Sequence, residues 1–381
     1  MTKQLLYKLL VTVFFIVPVR HESYSQPAKA ETEIKEMMKE LDVVGLSVAV
    51  VKKGKIIYNN SLRLKDIANT TPLTNNDIFR IASISKSFSA TSIMQLVEAG
   101  KLSLDDDFSK LVGFTVRNPK FPQTIITLRM IMSHTGSIND SQGYFSLDAI
   151  NPAKSDNYTK CYNDYEPGTK YQYCNLDYNM TGTVIEGISG ERFDNYVRNH
   201  VLKPLNLYGG YCVDSLDASR FTTLYDYDST KQLVASPGAY DPHRQEIQNY
   251  VMGYSTPTFS PTGGMKISAA DLARYMTMHM KHGKYNGVRI ISKKSSRIMQ
   301  TTVAEKEGYA LALLHTDKLI PGKKLTGHTG VAYGLFSAMF FNSKKKFGIV
   351  VITNGCNPVY KDGYNLVIRR AVNILYENLV K

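Results

Sequence analysis

Residues 79–90 read "FRIASISKSFSA". Within them Ser83 precedes Lys86 by three positions, in a segment otherwise made of small and apolar residues. Apolar side chains at helical spacing, among them Ile84, Phe88 and Ile93, predict a buried helix from Ser83 to Ala99 with Gly100 as its stop. Three positions on a helix bring a side chain back to the same face, so the Lys86 amine reaches the Ser83 hydroxyl. A serine hydroxyl is a weak nucleophile until a base takes its proton. Burial disfavours charged lysine and makes Lys86 a usable base. At a helix start Ser83 also offers its own backbone N–H to a developing oxyanion. The bland alternative is two polar residues on a helix. Ser343 and Lys346 repeat the spacing in a polar turn between strands, where no chemistry is expected.

Working outward, "GLSVAVVKKGKIIYNNS" (residues 45–61) reads as two strands around a Lys53-Gly54 turn. "ETEIKEMMKELDV" (31–43) before it reads as a surface helix. Helical patterns and tyrosine-bearing loops fill the middle, as in "ITLRMIMSH" (126–134), "NMTGTVIEGISG" (179–190) and "RFDNYVRNHVL" (192–202). "KISAADLARYMTMHMKHG" (266–283) starts at an N-cap Ser268 with Asp271 three later. "GLFSAMFFN" and "FGIVVITNG", joined by Lys344–Lys346, form an antiparallel pair, and "GYNLVIRRAVNILYENL" is a terminal amphipathic helix. The fold class is therefore α/β in the α+β sense: an antiparallel sheet built from both chain ends, flanked by helices, with a largely helical inserted region. The α/β part covers about 26–82 and 262–381, and the mainly helical part about 83–261.

The first residues, "MTKQLLYKLLVTVFFIVPVRHESYSQ", put Lys3 and Lys8 ahead of an apolar run, then Ser23 and Ser25 at the −3 and −1 places of a cleavage site. Residues 1–25 are read as a signal peptide, with a mature chain from about Gln26 and a periplasmic or secreted location. A spanning helix needs about 20 apolar residues, and this run ends earlier at a proline. Export permits disulfides, and Cys161, Cys174, Cys212 and Cys356 allow three pairings, or none if all are buried thiols. None has a metal-ligand spacing, and neither metal nor cofactor is called for.

The net charge of +13 comes from scattered lysines with no nucleic-acid motif, so nucleic acid is not an expected partner. No GxSxG elbow, HExxH, Walker loop or GxGxxG occurs.

Two further segments carry chemistry. In "PGTKYQYCNLDYNMTG" the Tyr173 phenol can relay a proton, and the Asn175 amide can bond both lysine and a substrate carbonyl. The same YxN spacing at Tyr58 and Tyr376 falls in a strand and a helix and reads as structural. In "LTGHTGVAYGLFSAMFF", His328-Thr329-Gly330 leads into a strand; a glycine there lets substrate approach the backbone, and the Val331 N–H can be a second oxyanion donor. An identical tripeptide, His134-Thr135-Gly136, reads as helix termination.

Taken in order, Ser83-Ile-Ser-Lys86, Tyr173-Cys-Asn175 and His328-Thr-Gly330 resemble the three motifs of the serine β-lactamase and penicillin-binding family, nearest its class C and DD-peptidase branch. The resemblance covers nearly all of the chain after residue 25. It implies that Ser83 is acylated, that Lys86 is its base partner, and that Tyr173 relays protons and acts as leaving-group acid. Asn175 would position Lys86 and the substrate amide, His328 and Thr329 would line the strand edge, and the Ser83 and Val331 amides would form the oxyanion hole. Two departures stand out: His328 replaces the lysine usual in class C β-lactamases, and Cys174 stands where serine is common. A neutral imidazole lacks the fixed charge that would favour a substrate carboxylate, unless an acidic site protonates it. The expected function is an exported serine hydrolase cleaving amides or esters, D-amino-acid-containing peptides first, in the manner of a DD-carboxypeptidase or D-aminopeptidase. The alternatives are a β-lactamase, a promiscuous esterase, and a sensor acylated once. The expected partner is a small-molecule or peptide substrate, peptidoglycan-derived fragments among them; the sequence implies no particular oligomeric state.

Overall fold

The central sheet takes its strands from both ends of the chain. The structure is a computed structural model and describes residues 22–381. Strands β1 (Gly45–Lys52), β2 (Lys55–Asp66) and β3 (Thr71–Pro72) come from one end. From the middle come the short β4 (Phe79–Arg80), β5 (Gly209–Gly210) and β6 (Lys266–Ile267), and from the other end β7 (Leu314–Thr316), β8 (Leu325–Ala332), β9 (Leu335–Asn342) and β10 (Phe347–Thr353). The large sheet has the order β7-β8-β9-β10-β1-β2-β3, antiparallel throughout, and the short middle strands form a ribbon of order β4-β6-β5.

Side chains of a strand point alternately to its two faces, and here both faces are covered. In β1, Ala49 and Val51 join the core shared with the helical region, while Leu46, Val48 and Val50 join a second core on the opposite face. β9 divides likewise, with Leu335, Met339 and Phe341 on one side and Phe336, Ala338 and Phe340 on the other. This two-sided burial accounts for the nearly continuous apolar runs of these strands. The terminal helices α1 (Glu22–Glu40) and α6 (Leu366–Leu375) close the second core through Ile34, Met37, Ile368 and Val372. On the other face lie α2 (Ser85–Glu98), α3 (Leu128–Met132), α4 (Asn175–Ser189) and α5 (Ala269–Met280), with α5 packed directly on β1, β9 and β10.

The expected architecture is observed, with differences in detail. α1 begins at Glu22 rather than Glu31. Most of the expected signal peptide, residues 1–21, lies outside the described residues. The helix expected to start at Ser83 starts at Ser85, because Ala82–Ile84 forms a tighter 3-10 turn first. All four cysteines are buried and free, so none of the three pairings is formed. No described helix is long and apolar enough to cross a membrane.

Candidate active site

Ser83 sits on a turn held from both sides. Ile81 N–H donates to the Met265 carbonyl at 2.9 Å, and Met265 N–H donates to Ser85 Oγ at 3.0 Å. On the sheet side Ser337 Oγ donates to the Ile81 carbonyl at 3.0 Å. Ala82, just before Ser83, has φ 49°, a left-handed conformation that costs an alanine about 1 kcal/mol or more. Strain of this kind persists only where surrounding bonds over-determine it, as they do here.

Lys86 projects from the first turn of α2 and is wholly buried. Its Nζ lies 2.9 Å from Asn175 Oδ1, 3.1 Å from the Thr262 carbonyl and 3.1 Å from Ser83 Oγ. Desolvation lowers its pKa to about 7, against a smaller opposing pull from Asp140, Cys174 and Asp177. A neutral amine has two N–H groups and one lone pair. The two carbonyl oxygens take the N–H groups, and the lone pair is left for the Ser83 hydroxyl proton. With a pKa of about 7 a large share of Lys86 is the free amine at neutral pH, and its Nζ stands within hydrogen-bond reach of the serine hydroxyl.

Asn175 opens α4, and its side chain is committed on three sides. Oδ1 accepts from Lys86 and from Thr262 Oγ1 at 2.9 Å, and Nδ2 donates to Asp140 Oδ2 at 2.9 Å. The Asp140 carboxylate also accepts the backbone N–H groups of Asn175 and Leu176, capping α4 where the helix dipole favours an anion. Cys174 points away from the cavity and donates its thiol to Asp140 Oδ1 at 3.1 Å.

Tyr173 is half-buried, with its ring centroid 4.7 Å from Lys86 Nζ. Burial raises its pKa, and a hydrogen bond to Ser83 partly offsets this. The phenol is therefore a proton donor or relay and not a standing phenolate. Behind it lies a histidine that the sequence reading assigned only to helix termination. His134 does end α3 and has φ 58°, but its ring is buried 4.5 Å from the Tyr173 ring. Its Nδ1 is 3.0 Å from Asp177 Oδ2 and accepts the Cys174 N–H at 3.3 Å. Burial pushes Asp177 well above the carboxylate range and His134 well below the imidazole range. With Nδ1 already an acceptor, the proton between the two belongs to Asp177, and the pair is neutral.

On the opposite wall, His328 is 3% exposed, its Nε2 3.2 Å from the Tyr309 hydroxyl and its Nδ1 against the Thr329 carbonyl. Burial first, then Lys86, lowers its pKa to about 4, so it is neutral near pH 7 and does not become a cationic anchor. Gly330 also meets a packing demand that the sequence did not show: a Cβ there would lie 2.2 Å from the Ile81 carbonyl oxygen and 2.5 Å from Ser337 Oγ. The turn that carries Ser83 approaches this glycine closely. Val331 follows and is 54% exposed.

Ser83, Tyr173, Asn175, His328, Thr329 and Val331 all line one cavity of about 720 Å³. Lys86 lies behind its wall and Gly330 beneath it. Thr262, Asp140, His134, Asp177 and Tyr309 were missed by sequence reasoning; only the repeated HTG at His134 offered a signal. Among the described residues no group of three His, Cys, Asp or Glu side chains could hold a metal ion. The arrangement is equipped for acyl transfer to Ser83.

A family model described as Beta-lactamase matches residues 30–373. Protein flp of Staphylococcus aureus (strain MRSA252) is 24% identical over 336 residues, 85% of this chain and 62% of its own length. The chain thus spans about three fifths of those curated relatives. Penicillin-binding protein 4 of Amycolatopsis lactamdurans is 27% identical over 303 residues, 74% of each chain. Among solved structures, the octameric penicillin-binding protein homologue from Pyrococcus abyssi matches with a TM-score of 0.72 and 25% identity, covering 92% of this chain and 79% of that one.

Proposed function

The chain belongs to the beta-lactamase family, and from that premise we propose that it is a serine hydrolase working through an acyl-enzyme on Ser83. The observation that carries this reading is Lys86, wholly buried, its pKa lowered to about 7 and its Nζ 3.1 Å from Ser83 Oγ. Lys86 takes the Ser83 proton as Oγ attacks a carbonyl carbon. The Ser83 and Val331 backbone N–H groups hold the oxyanion. Tyr173 passes a proton to the leaving amine or alcohol, and water then hydrolyses the Ser83 ester with the same groups in reverse.

Substrates are amides or esters, with D-amino-acid-containing peptides as the first class to try. The lining of the cavity narrows this. It includes no Asp or Glu, so a free substrate ammonium would find no counter-charge, which disfavours an aminopeptidase. Neutral His328 gives a carboxylate on the leaving side no fixed cation, which disfavours a carboxypeptidase or β-lactamase and favours uncharged leaving groups. That second point supports a promiscuous esterase as the competing reading. We also propose export, on the basic and apolar pattern of residues 1–25.

The test is intact-protein mass against time for the chain and its Ser83→Ala variant, mixed in turn with a penicillin, a D-aminoacyl peptide and a p-nitrophenyl ester. Adduct or turnover that requires Ser83 is expected with at least the ester. A long-lived penicillin adduct without turnover of anything would mark a sensor, and full activity in Ser83→Ala would end the serine-hydrolase reading.

A further inference from the structure

Arg80 and Lys266 are register partners across the β4–β6 ribbon, so their side chains stand on the same face. Cations directly opposite one another repel, and a cation buried without a counter-charge is costly. Neither takes part in an ion pair among the described residues. Lys266 is wholly buried and donates Nζ to the Tyr211 carbonyl at 2.7 Å. Burial, and then Arg80, lower its pKa well below the usual lysine range. Arg80 keeps its charge, because a guanidinium does not deprotonate in proteins.

The guanidinium of Arg80 is aimed by backbone oxygens. Nε donates to Gly263 O at 3.1 Å and Nη1 to Ala239 O at 3.4 Å, while Nη2 has no hydrogen bond among the described residues. The group lies 5.0 Å from the Tyr333 ring centroid and lines the same cavity as Ser83, with Tyr144, Tyr333 and Ser260 about it. The exposed Asp241 and Glu246 line a neighbouring pocket that Arg80 and Lys266 also border; Asp241 pulls on the Arg80 charge from a distance, but neither carboxylate forms an ion pair with either cation. Arg80 is thus the one standing charge in the lining of the reactive cavity.

Its position tells which part of a substrate it would meet. The leaving group must depart beside Tyr173, the proposed proton donor, whose ring centroid lies 6.3 Å from that of His328 across the cavity. The oxyanion site at Val331 comes next along β8, and Ala332 and Tyr333 lead on to Arg80. The acyl portion therefore extends toward Arg80.

We propose that Arg80, framed by Tyr333 and Tyr144, is the subsite for a carboxylate carried on the acyl portion of the substrate. The planar fork suits a carboxylate, and the neutral leaving side leaves the acyl side as the place where charge is read. This deepens the acyl-enzyme reading of Ser83 and rests on it.

The experiment compares p-nitrophenyl hydrogen glutarate with p-nitrophenyl valerate, which share a leaving group and a chain length. Both acylate Ser83 Oγ by breaking the same ester bond and releasing p-nitrophenolate. Wild type should favour the anionic ester in kcat/KM by about tenfold or more, as expected of a charge-assisted hydrogen bond. Arg80→Gln should erase that ratio and Arg80→Lys should keep part of it. A wild-type ratio of one or less, or an equal fall on both esters in Arg80→Gln, would overturn the proposal. Arg80 also holds two carbonyls, and its removal could disturb the fold, so the wild-type ratio is decisive by itself. Calorimetric binding of glutaramate to Ser83→Ala, with and without Arg80→Gln, separates the two readings. Arg80-dependent binding without turnover of either ester sustains the subsite and defeats the hydrolase. Neither binding nor turnover defeats both.

Discussion

At the residue scale the site depends on which groups are kept neutral. In the proposed mechanism Lys86 accepts the Ser83 proton only as a free amine, and its lowered pKa of about 7 sets where that form appears. The acylation rate, read as kcat/KM on a p-nitrophenyl ester, should climb from pH 5 to pH 8 with a midpoint near 7. Lys86→Ala should lose about 10²–10⁴ of it. A flat profile between pH 6 and 8 would remove Lys86 as the base. Asp177 presents the converse case, a carboxyl held protonated so that it can donate to His134 Nδ1. An asparagine amide donates in the same place, whereas leucine leaves Nδ1 with only the Cys174 N–H. Asp177→Asn should stay within about 1 kcal/mol of wild type, and Asp177→Leu should cost about 1–3 kcal/mol, since the long 3.3 Å bond from Cys174 only partly satisfies a buried Nδ1. Urea denaturation decides it. A large loss in Asp177→Asn would mean that Asp177 is an ionised acceptor.

At the scale of elements, β8 and the nucleophile turn are in contact through Gly330. An alanine Cβ at that position would sit 2.2 Å from the Ile81 carbonyl oxygen, a backbone atom that cannot swing aside. β8 must then back away from the turn, and the distance between the Ser83 and Val331 amides opens with it. Gly330→Ala should cost about 1–3 kcal/mol of stability and at least tenfold in kcat/KM, since small misplacements of oxyanion donors are expensive. Wild-type kinetics in that variant would show that the strand and turn are not coupled. This contact also marks what the sequence could convey. Ser83, Lys86, Tyr173 and Asn175 were legible because each pair is linked by local spacing on one helix or one loop. The strands were legible because burial on both faces leaves long apolar runs. Thr262, which completes the Lys86 environment from 176 positions away, leaves no periodic trace. The same holds for Asp140 at the head of α4 and for the Gly330–Ile81 approach, which exist only once distant segments have folded together.

For the whole molecule, the buried bases set a direction for acid stability. His279, near the end of α5, is fully buried with neither ring nitrogen hydrogen-bonded among the described residues, and burial lowers its pKa to about 3. His328 falls to about 4 for the same leading reason. In the unfolded chain both bind protons below about 6.5 while the folded chain does not, so stability falls as the pH drops below that value. The His134–Asp177 pair adds little slope there: folded it holds one proton, and unfolded below about 6.5 it also holds one, on the histidine. Lys86 is protonated in both states below about 7 and is likewise silent. At pH 5 each of the two histidines should cost about 2 kcal/mol relative to neutral pH, a sizeable part of the roughly 5–15 kcal/mol that holds a domain together. His279→Phe keeps a flat ring against Tyr275, whose centroid is 4.8 Å away, and removes the proton site. Scanning calorimetry from pH 4.5 to 7.5 should then show wild type losing thermal stability on acidification and His279→Phe losing about half as much. An undiminished fall in the variant would place the acid sensitivity elsewhere, with the active-site His328 as the next group to replace.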